Sequence, residues 1–305
     1  MVAAAEASMT IRVESLSRNG LVLNLLMYQD AQIKPVKPYP DIVLVHGLTY
    51  SSYQYDINYQ DYSLARALAR NGYRVWLLDI TGYGRSQKPE NGFLVNSDYA
   101  AEDINAAVDH ILEQYKVPKV TILGWSWGTI TTSRFVAKYH EKVNKLILFA
   151  PILHAVALDK PVASYQAFSM DEALSDFQKN TLGEINPKIM DKQVLNLYIH
   201  SAQIYDSQGS PNGGRLDVAQ AKNVQLIPYE AFVVPVLLIA GDKDPYLSIK
   251  RDFAIMTEHA KAKVSTYIIK GGGHALLLEK PYHRDFKQKV MQFLTCNENT
   301  IVEKR

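Results

Sequence analysis

Six short apolar runs recur along the chain, most of them separated by stretches of helical pattern. They are residues 41–47 (DIVLVHG), 73–80 (YRVWLLDI), 119–126 (KVTILGWS), 143–151 (VNKLILFAP), 234–244 (VPVLLIAGDKD) and 262–271 (AKVSTYIIKG). Runs with largely unbroken apolar centres suit strands covered on both faces. The segments 62–72, 97–115, 129–139, 248–260 and 282–294 carry apolar residues at helical spacing. Short apolar strands alternating with helices predict an α/β fold: a mostly parallel central sheet flanked by helices. Ahead of the first run, residues 10–29 read as two strands joined at Arg18-Asn19-Gly20, a hairpin signal.

The rhythm breaks after Pro151 and resumes with the run at 234. Residues 152–228 hold helical pieces without a clear sheet strand, and the loop DSQGSPNGGRLD. The chain therefore divides into a core, residues 1–151 and 229–305, and an inserted helical cap, residues 152–228. A chain of 305 residues is long enough for one large domain with such an insertion.

Composition narrows the function. With a formal net charge of +2, neither acidic nor basic residues are in excess, which argues against nucleic acid or a membrane surface as partner. The single cysteine, Cys296, excludes a disulfide within the chain and argues against a cysteine-based metal site. The opening MVAAAEASMT lacks the basic start and apolar centre of a signal peptide, and no apolar run approaches a membrane span. A cytoplasmic location is the expectation; the oligomeric state is left open.

The motif GWSWG occupies residues 124–128, where a strand run gives way to a helical one. So sharp a turn strains its central residue and brings neighbouring backbones close, and side chains at Gly124 and Gly128 would clash. The Ser126 hydroxyl is lifted clear of the sheet. The amide of Trp127, at the helix start, can point at an anion formed beside it. Serine needs a base to take its proton, and the base needs a third group to hold its tautomer. Open α/β sheets gather such groups at the carboxyl ends of their strands. The run at 234 ends in Gly241-Asp242-Lys243-Asp244-Pro245, and the run at 262 leads into Gly271-Gly272-Gly273-His274. Asp244, farther out on its loop, is preferred to Asp242, which suits a turn bonded to its own backbone. His274 is the expected base. His46 is expected to order its own loop, and His110, His140, His200, His259 and His283 to be ordinary surface or half-buried positions; for His154 an ordinary position is preferred to one at the pocket mouth. A second amide donor is expected after Gly47, with Leu48 preferred and Thr49 the alternative.

Five segments, LVHGLTYSS, LLDITGYGRSQKP, GWSWG, GDKDP and GGGHALLLEKP, are spread over nearly the whole chain. Together they resemble the α/β-hydrolase fold, in its capped, esterase- and lactonase-like type. The resemblance implies Ser126 as nucleophile, Asp244 as orienting acid, His274 as base and a structural role for Asp79–Ser86. The amides of Leu48 and Trp127 would form the oxyanion hole. Neither a metal nor an organic cofactor is needed. The stretch GWSWGT is also close to proline iminopeptidases, but their oxyanion loop is richer in glycine and carries a proline, where this chain has HGLTY.

The expected activity is hydrolysis of a small-molecule carboxylic ester or lactone through an acyl-enzyme. Tyr50, Tyr53, Tyr55, Tyr59 and Tyr62 crowd the segment after the oxyanion loop, and tyrosine suits a large, partly oxygenated ligand. Thr49, Tyr50 and Tyr53, with Phe168, Phe177 and Tyr198 of the cap, are candidate pocket residues; packing between cap and core is their other reading. Two further functions stay open. One is carbon–carbon bond hydrolysis or an aminopeptidase on the same triad, the latter with Glu172 or Glu184 reading a substrate amine. The other is a hydrolase-fold ligand receptor.

Overall fold

The computed structural model describes residues 8–154, 158–221 and 224–296. Most of the N-terminal stretch weighed above as a signal peptide, and both outer ends of the expected core, lie outside these residues. The strands are β1 (Met9–Arg18), β2 (Leu21–Asp30), β3 (Asp41–Val45), β4 (Arg74–Asp79), β5 (Val120–Trp125), β6 (Val143–Phe149), β7 (Tyr165–Gln166), β8 (Ser210–Pro211), β9 (Val236–Gly241) and β10 (Val264–Ile269). The helices are α1 (Leu64–Ala69), α2 (Ser97–Tyr115), α3 (Trp127–Tyr139), α4 (Met170–Ala173), α5 (Lys192–Tyr205), α6 (Gly213–Gln220), α7 (Ile249–His259) and α8 (His283–Thr295).

Eight strands form one sheet in the order β1-β2-β4-β3-β5-β6-β9-β10. The six from β4 to β10 in that order are parallel; β1 and β2 are antiparallel. The β1–β2 turn is Asn19 and Gly20, at φ 52° and 79°. Two successive residues at positive φ match the twist of a two-residue hairpin.

The unbroken apolar runs have a physical reason in the core. Val43 and Val45 of β3 pack on one face of the sheet, and Ile42 and Leu44 on the other. Strand β6 divides likewise, with Leu146 and Leu148 on one side and Ile147 and Phe149 on the other. Side chains alternate faces along a strand, so a sheet covered on both sides needs apolar residues at every position. Each such side chain contributes about 1.5–3 kcal/mol on burial.

The segment between β6 and β9 leaves the sheet and returns to an adjacent strand, with Leu146 opposite Val236. It holds α4, α5 and α6, and a two-stranded ribbon in which Tyr165 and Gln166 pair with Pro211 and Ser210. The ribbon is a separate two-stranded sheet beside the helical pieces. Two-residue strands carry no periodicity to read. The segment lies against the loops at the carboxyl ends of the sheet strands. Asp206, after α5, accepts from the amide and hydroxyl of Ser51 at 3.0 and 2.9 Å and from the Gly84 amide at 3.1 Å. The Tyr246 hydroxyl reaches Asp176 at 3.2 Å, and Lys280 N donates to Ile189 O at 2.6 Å.

Candidate active site

Ser126 sits between β5 and α3 at φ 56°, ψ −123°. That backbone region is unfavourable for any residue with a Cβ, and the surroundings must impose it. They do so from both sides. The Ser126 amide donates to Phe149 O at 3.0 Å, and its carbonyl accepts from the Thr129 amide at 2.8 Å. A Cβ on Gly124 would collide with the Gly128 carbonyl, and one on Gly128 would lie 2.5 Å from Val45 O. Both flanking glycines are thus required by close backbone approach.

The loop after β3 passes beside the serine, since a Cβ on Gly47 would stand 3.2 Å from Ser126 Cβ. Buried His46 fixes its direction. The Ile80 amide donates to His46 Nε2 at 3.1 Å, so the proton sits on Nδ1, which donates to Gly47 O at 2.8 Å. Burial pushes the His46 pKa down, which keeps the ring neutral. In a trans peptide the carbonyl and the next amide point opposite ways. With Gly47 O turned to His46, the Leu48 N–H faces away from that ring. The Leu48 carbonyl is in turn held by the Tyr83 hydroxyl at 2.8 Å.

Asp244 and His274 meet at the ends of adjacent strands β9 and β10, with Nδ1 of the ring 2.7 Å from Asp244 Oδ2. The other carboxylate oxygen accepts from the Tyr246 amide at 2.9 Å. Asp242 is engaged elsewhere, taking the Gly271 amide at 2.6 Å. The His274 ring packs edge-on to Tyr246 at 4.7 Å, and its carbonyl accepts from Trp125 Nε1 at 3.1 Å. Glu279, fully buried, takes the Gly273 amide at 2.8 and 3.1 Å and the Gln178 amide at 3.1 Å. Burial pushes the His274 pKa down, but the charge and hydrogen bond of Asp244, with Asp176 and Glu279 behind it, outweigh this and leave it raised. Its Nε2 is buried and makes no hydrogen bond among the described residues. Catalytic hydrogen bonds often tighten only when substrate is bound.

A cavity of about 340 Å³ opens over Ser126. Leu48, Thr49, Tyr50, Trp125, Trp127, Ile152, Leu158 and Val218 line it, with Gln54, Glu172, Ser175, Asp176, Tyr198, Arg215 and Tyr246. The volume suits a small organic ligand. The sequence pattern of the α/β-hydrolase fold family matches residues 40–281. The chain belongs to the α/β-hydrolase fold family.

This α/β-hydrolase is similar to a Haemophilus influenzae protein that carries the name of an esterase or lipase, 25% identical over 90% of each chain. It is 24% identical to a Bacillus subtilis protein named as an uncharacterized carboxylesterase, over 84% of this chain and 80% of the other. The crystal structure of a Bacillus subtilis carboxylesterase shares its fold, with a TM-score of 0.62, 16% identity and 96% of each chain covered.

Within the hydrolase, Leu48, Thr49, Tyr50, Ser126, Trp127 and Tyr198 face one cavity. Tyr53 and Phe168 do not line it. Tyr53 is buried behind, stacked on Tyr205 at 5.7 Å, and Phe168 packs outside Tyr50 at 6.2 Å. Phe177 also packs, edge-on to Tyr198 at 5.2 Å. Glu172 reaches the cavity but is bound by Arg215 at 2.6 Å, and Glu184 pairs with Asn180 away from it. Arg215, Asp176 and Gln54 were not singled out from sequence, and nothing local marks them. Tyr246 had a signal, two residues beyond Asp244. Among the described residues, no group of three or more His, Cys, Asp or Glu side chains can hold a metal ion, and no helix is long and apolar enough to cross a membrane.

Proposed function

We propose that this α/β-hydrolase is a serine hydrolase that cleaves a small carboxylic ester or lactone through an acyl-enzyme. The carrying observation is the Asp244–His274 hydrogen bond, on loops that converge beside the strained turn at Ser126. His274 takes the Ser126 proton as Oγ attacks the carbonyl carbon. Asp244 holds Nδ1 protonated, leaving Nε2 as the acceptor, and stabilises the imidazolium that forms. The amides of Leu48 and Trp127 donate to the tetrahedral oxyanion, each worth about 3–4 kcal/mol of barrier lowering. His274 then returns the proton to the leaving alkoxide. With a lactone, that alkoxide stays tethered as the hydroxyl end of the acyl group. Water, activated by the same histidine, releases the acid. Residues 152–228 act as a cap that excludes water and supplies much of the cavity wall.

The names of the relatives support an ester over an amide. Glu172, one of the two residues the aminopeptidase alternative would use, pairs with Arg215 instead. A panel of p-nitrophenyl esters, lactones, vinylogous diketones and aminoacyl amides tests the reading with the wild type and Ser126→Ala. Serine-dependent turnover confined to esters and lactones is expected. Turnover chiefly of diketones or aminoacyl amides contradicts the substrate class. Ligand binding without turnover contradicts the enzyme reading.

A further inference from the structure

We infer that the Gln54 side-chain amide reads a neutral oxygen of the substrate outside the scissile ester, so that oxygenated esters are preferred to purely aliphatic ones. The inference rests on the ester-hydrolase reading above and adds the substrate's chemistry to it.

Gln54 lines the cavity that holds Ser126, yet it is only 3% exposed. Its Nε2 is buried without a hydrogen-bond partner among the described residues. Several other polar groups of the wall already have protein partners. The Tyr50 hydroxyl donates to Ser169 O at 3.2 Å, and that of Tyr246 to Asp176 at 3.2 Å. Trp125 Nε1 donates to His274 O, and Trp127 Nε1 to Ser97 Oγ. The Ser175 hydroxyl donates to Glu172 O, and the Arg215 guanidinium serves Glu172, Ser210, Pro211 and Asn212. An unpaired buried donor is costly, and in a residue of the cavity wall it would be satisfied by a ligand oxygen that enters the cavity.

Gln54 cannot swing out to water. It belongs to the turn Ser52–Tyr55, whose four residues are all buried. The turn is fixed by Ser52 Oγ to Asp79 at 2.6 Å and by the Tyr55 hydroxyl to Val45 O at 2.8 Å. The same turn continues directly from the Leu48 loop, which sets Gln54 in a constant relation to the oxyanion hole. The wall also defines the charge of the matching group. Glu172 and Asp176 face the cavity against one engaged arginine, which disfavours a carboxylate on the substrate. An ether, carbonyl or hydroxyl oxygen remains.

The test uses p-nitrophenyl esters of straight-chain acids. Each is paired with the same acid carrying one chain methylene replaced by an ether oxygen, at successive positions. Acetate esters of matching alcohols and alkoxy-alcohols probe the other side of the bond. For each pair, the ratio of kcat/KM values is divided by the ratio of their hydroxide rates. The wild type should prefer the ether member at one position at least. Gln54→Leu should lower that preference by about tenfold and leave the all-methylene ester within about threefold of wild type. Gln54→Met, which roughly keeps length and loses the donor, should do the same if the leucine variant does not fold. No preference in the wild type, an unchanged ratio in both variants, or an equal fall in both members of a pair overturns the inference. Failure of the ester-hydrolase reading is distinguished by Ser126→Ala, which in that case leaves ester turnover intact whatever Gln54 does.

Discussion

Asp244 Oδ2 lies 2.7 Å from His274 Nδ1, across 30 residues of chain, while Asp242 is turned to the Gly271 amide. The two aspartates stand two positions apart and are separable by experiment. Asp244→Asn should lower kcat by about 10⁴-fold, because an amide does not hold the tautomer that leaves Nε2 free. Asp242→Asn should change kcat less than about tenfold, since an amide oxygen still accepts from Gly271. Steady-state rates on one activated ester decide it, and a reversed ranking refutes the assignment of the acid.

The raised pKa of His274 fixes the acid limb of activity. The base works as neutral imidazole, so kcat/KM should fall as pH drops through a midpoint above the ordinary value of 6.5. Asp176 is one of the carboxylates that favour the imidazolium. Asp176→Asn removes that charge, and the midpoint should move to lower pH. A pH–rate profile of both proteins checks the sign; a shift upward contradicts the electrostatic account.

Backbone strain at Ser126 predicts a stability effect opposed to activity. Serine at φ 56°, ψ −123° costs about 1–3 kcal/mol, which glycine relieves and alanine does not. Glycine returns part of that through its freer unfolded chain. Ser126→Gly should therefore be more stable than Ser126→Ala by about 1 kcal/mol. Urea midpoints of the two inactive variants measure this, and a lower midpoint for Ser126→Gly, as its freer unfolded chain alone would give, means that the turn is not strained.

Asp206 ties the inserted segment to the loops at Ser51 and Gly84 with three hydrogen bonds. Asp206→Ala strands buried donors and should cost about 3 kcal/mol. Burial pushes the Asp206 pKa up to about 6. A carboxyl raised on folding stabilises the protein below its unfolded pKa, near 3.9, and loses that contribution as pH rises through the folded value. Relative to Asp206→Asn, the wild type should lose stability between about pH 4 and pH 6 and change little above. Denaturant midpoints across that range test it. A relative gain with rising pH contradicts the sign.

The sheet was legible because its signal is local: Val43, Val45, Leu146 and Leu148 announce buried strands within a few residues. The GWSWG turn was legible for the same reason, since Gly124 and Gly128 answer contacts made within and beside it. The cavity wall was not. Asp206 reaches Ser51 across 155 residues and Gly84 across 122, and no spacing encodes such a meeting. Tyr53 was expected at the wall and Gln54 was passed over, although they are neighbours. In a tight turn of about three residues, consecutive side chains point in different directions. Composition cannot say which of them faces the ligand.

The proposed mechanism is tested most directly by trapping the acyl-enzyme. The protein is mixed with excess p-nitrophenyl acetate, quenched in acid within the first turnovers, digested, and its peptides are weighed. An acetyl group should appear on the peptide containing Ser126, together with a burst of p-nitrophenol close to one per active site. Both should vanish in Ser126→Ala. Turnover of the ester with no label on Ser126, or with full activity in Ser126→Ala, contradicts the account.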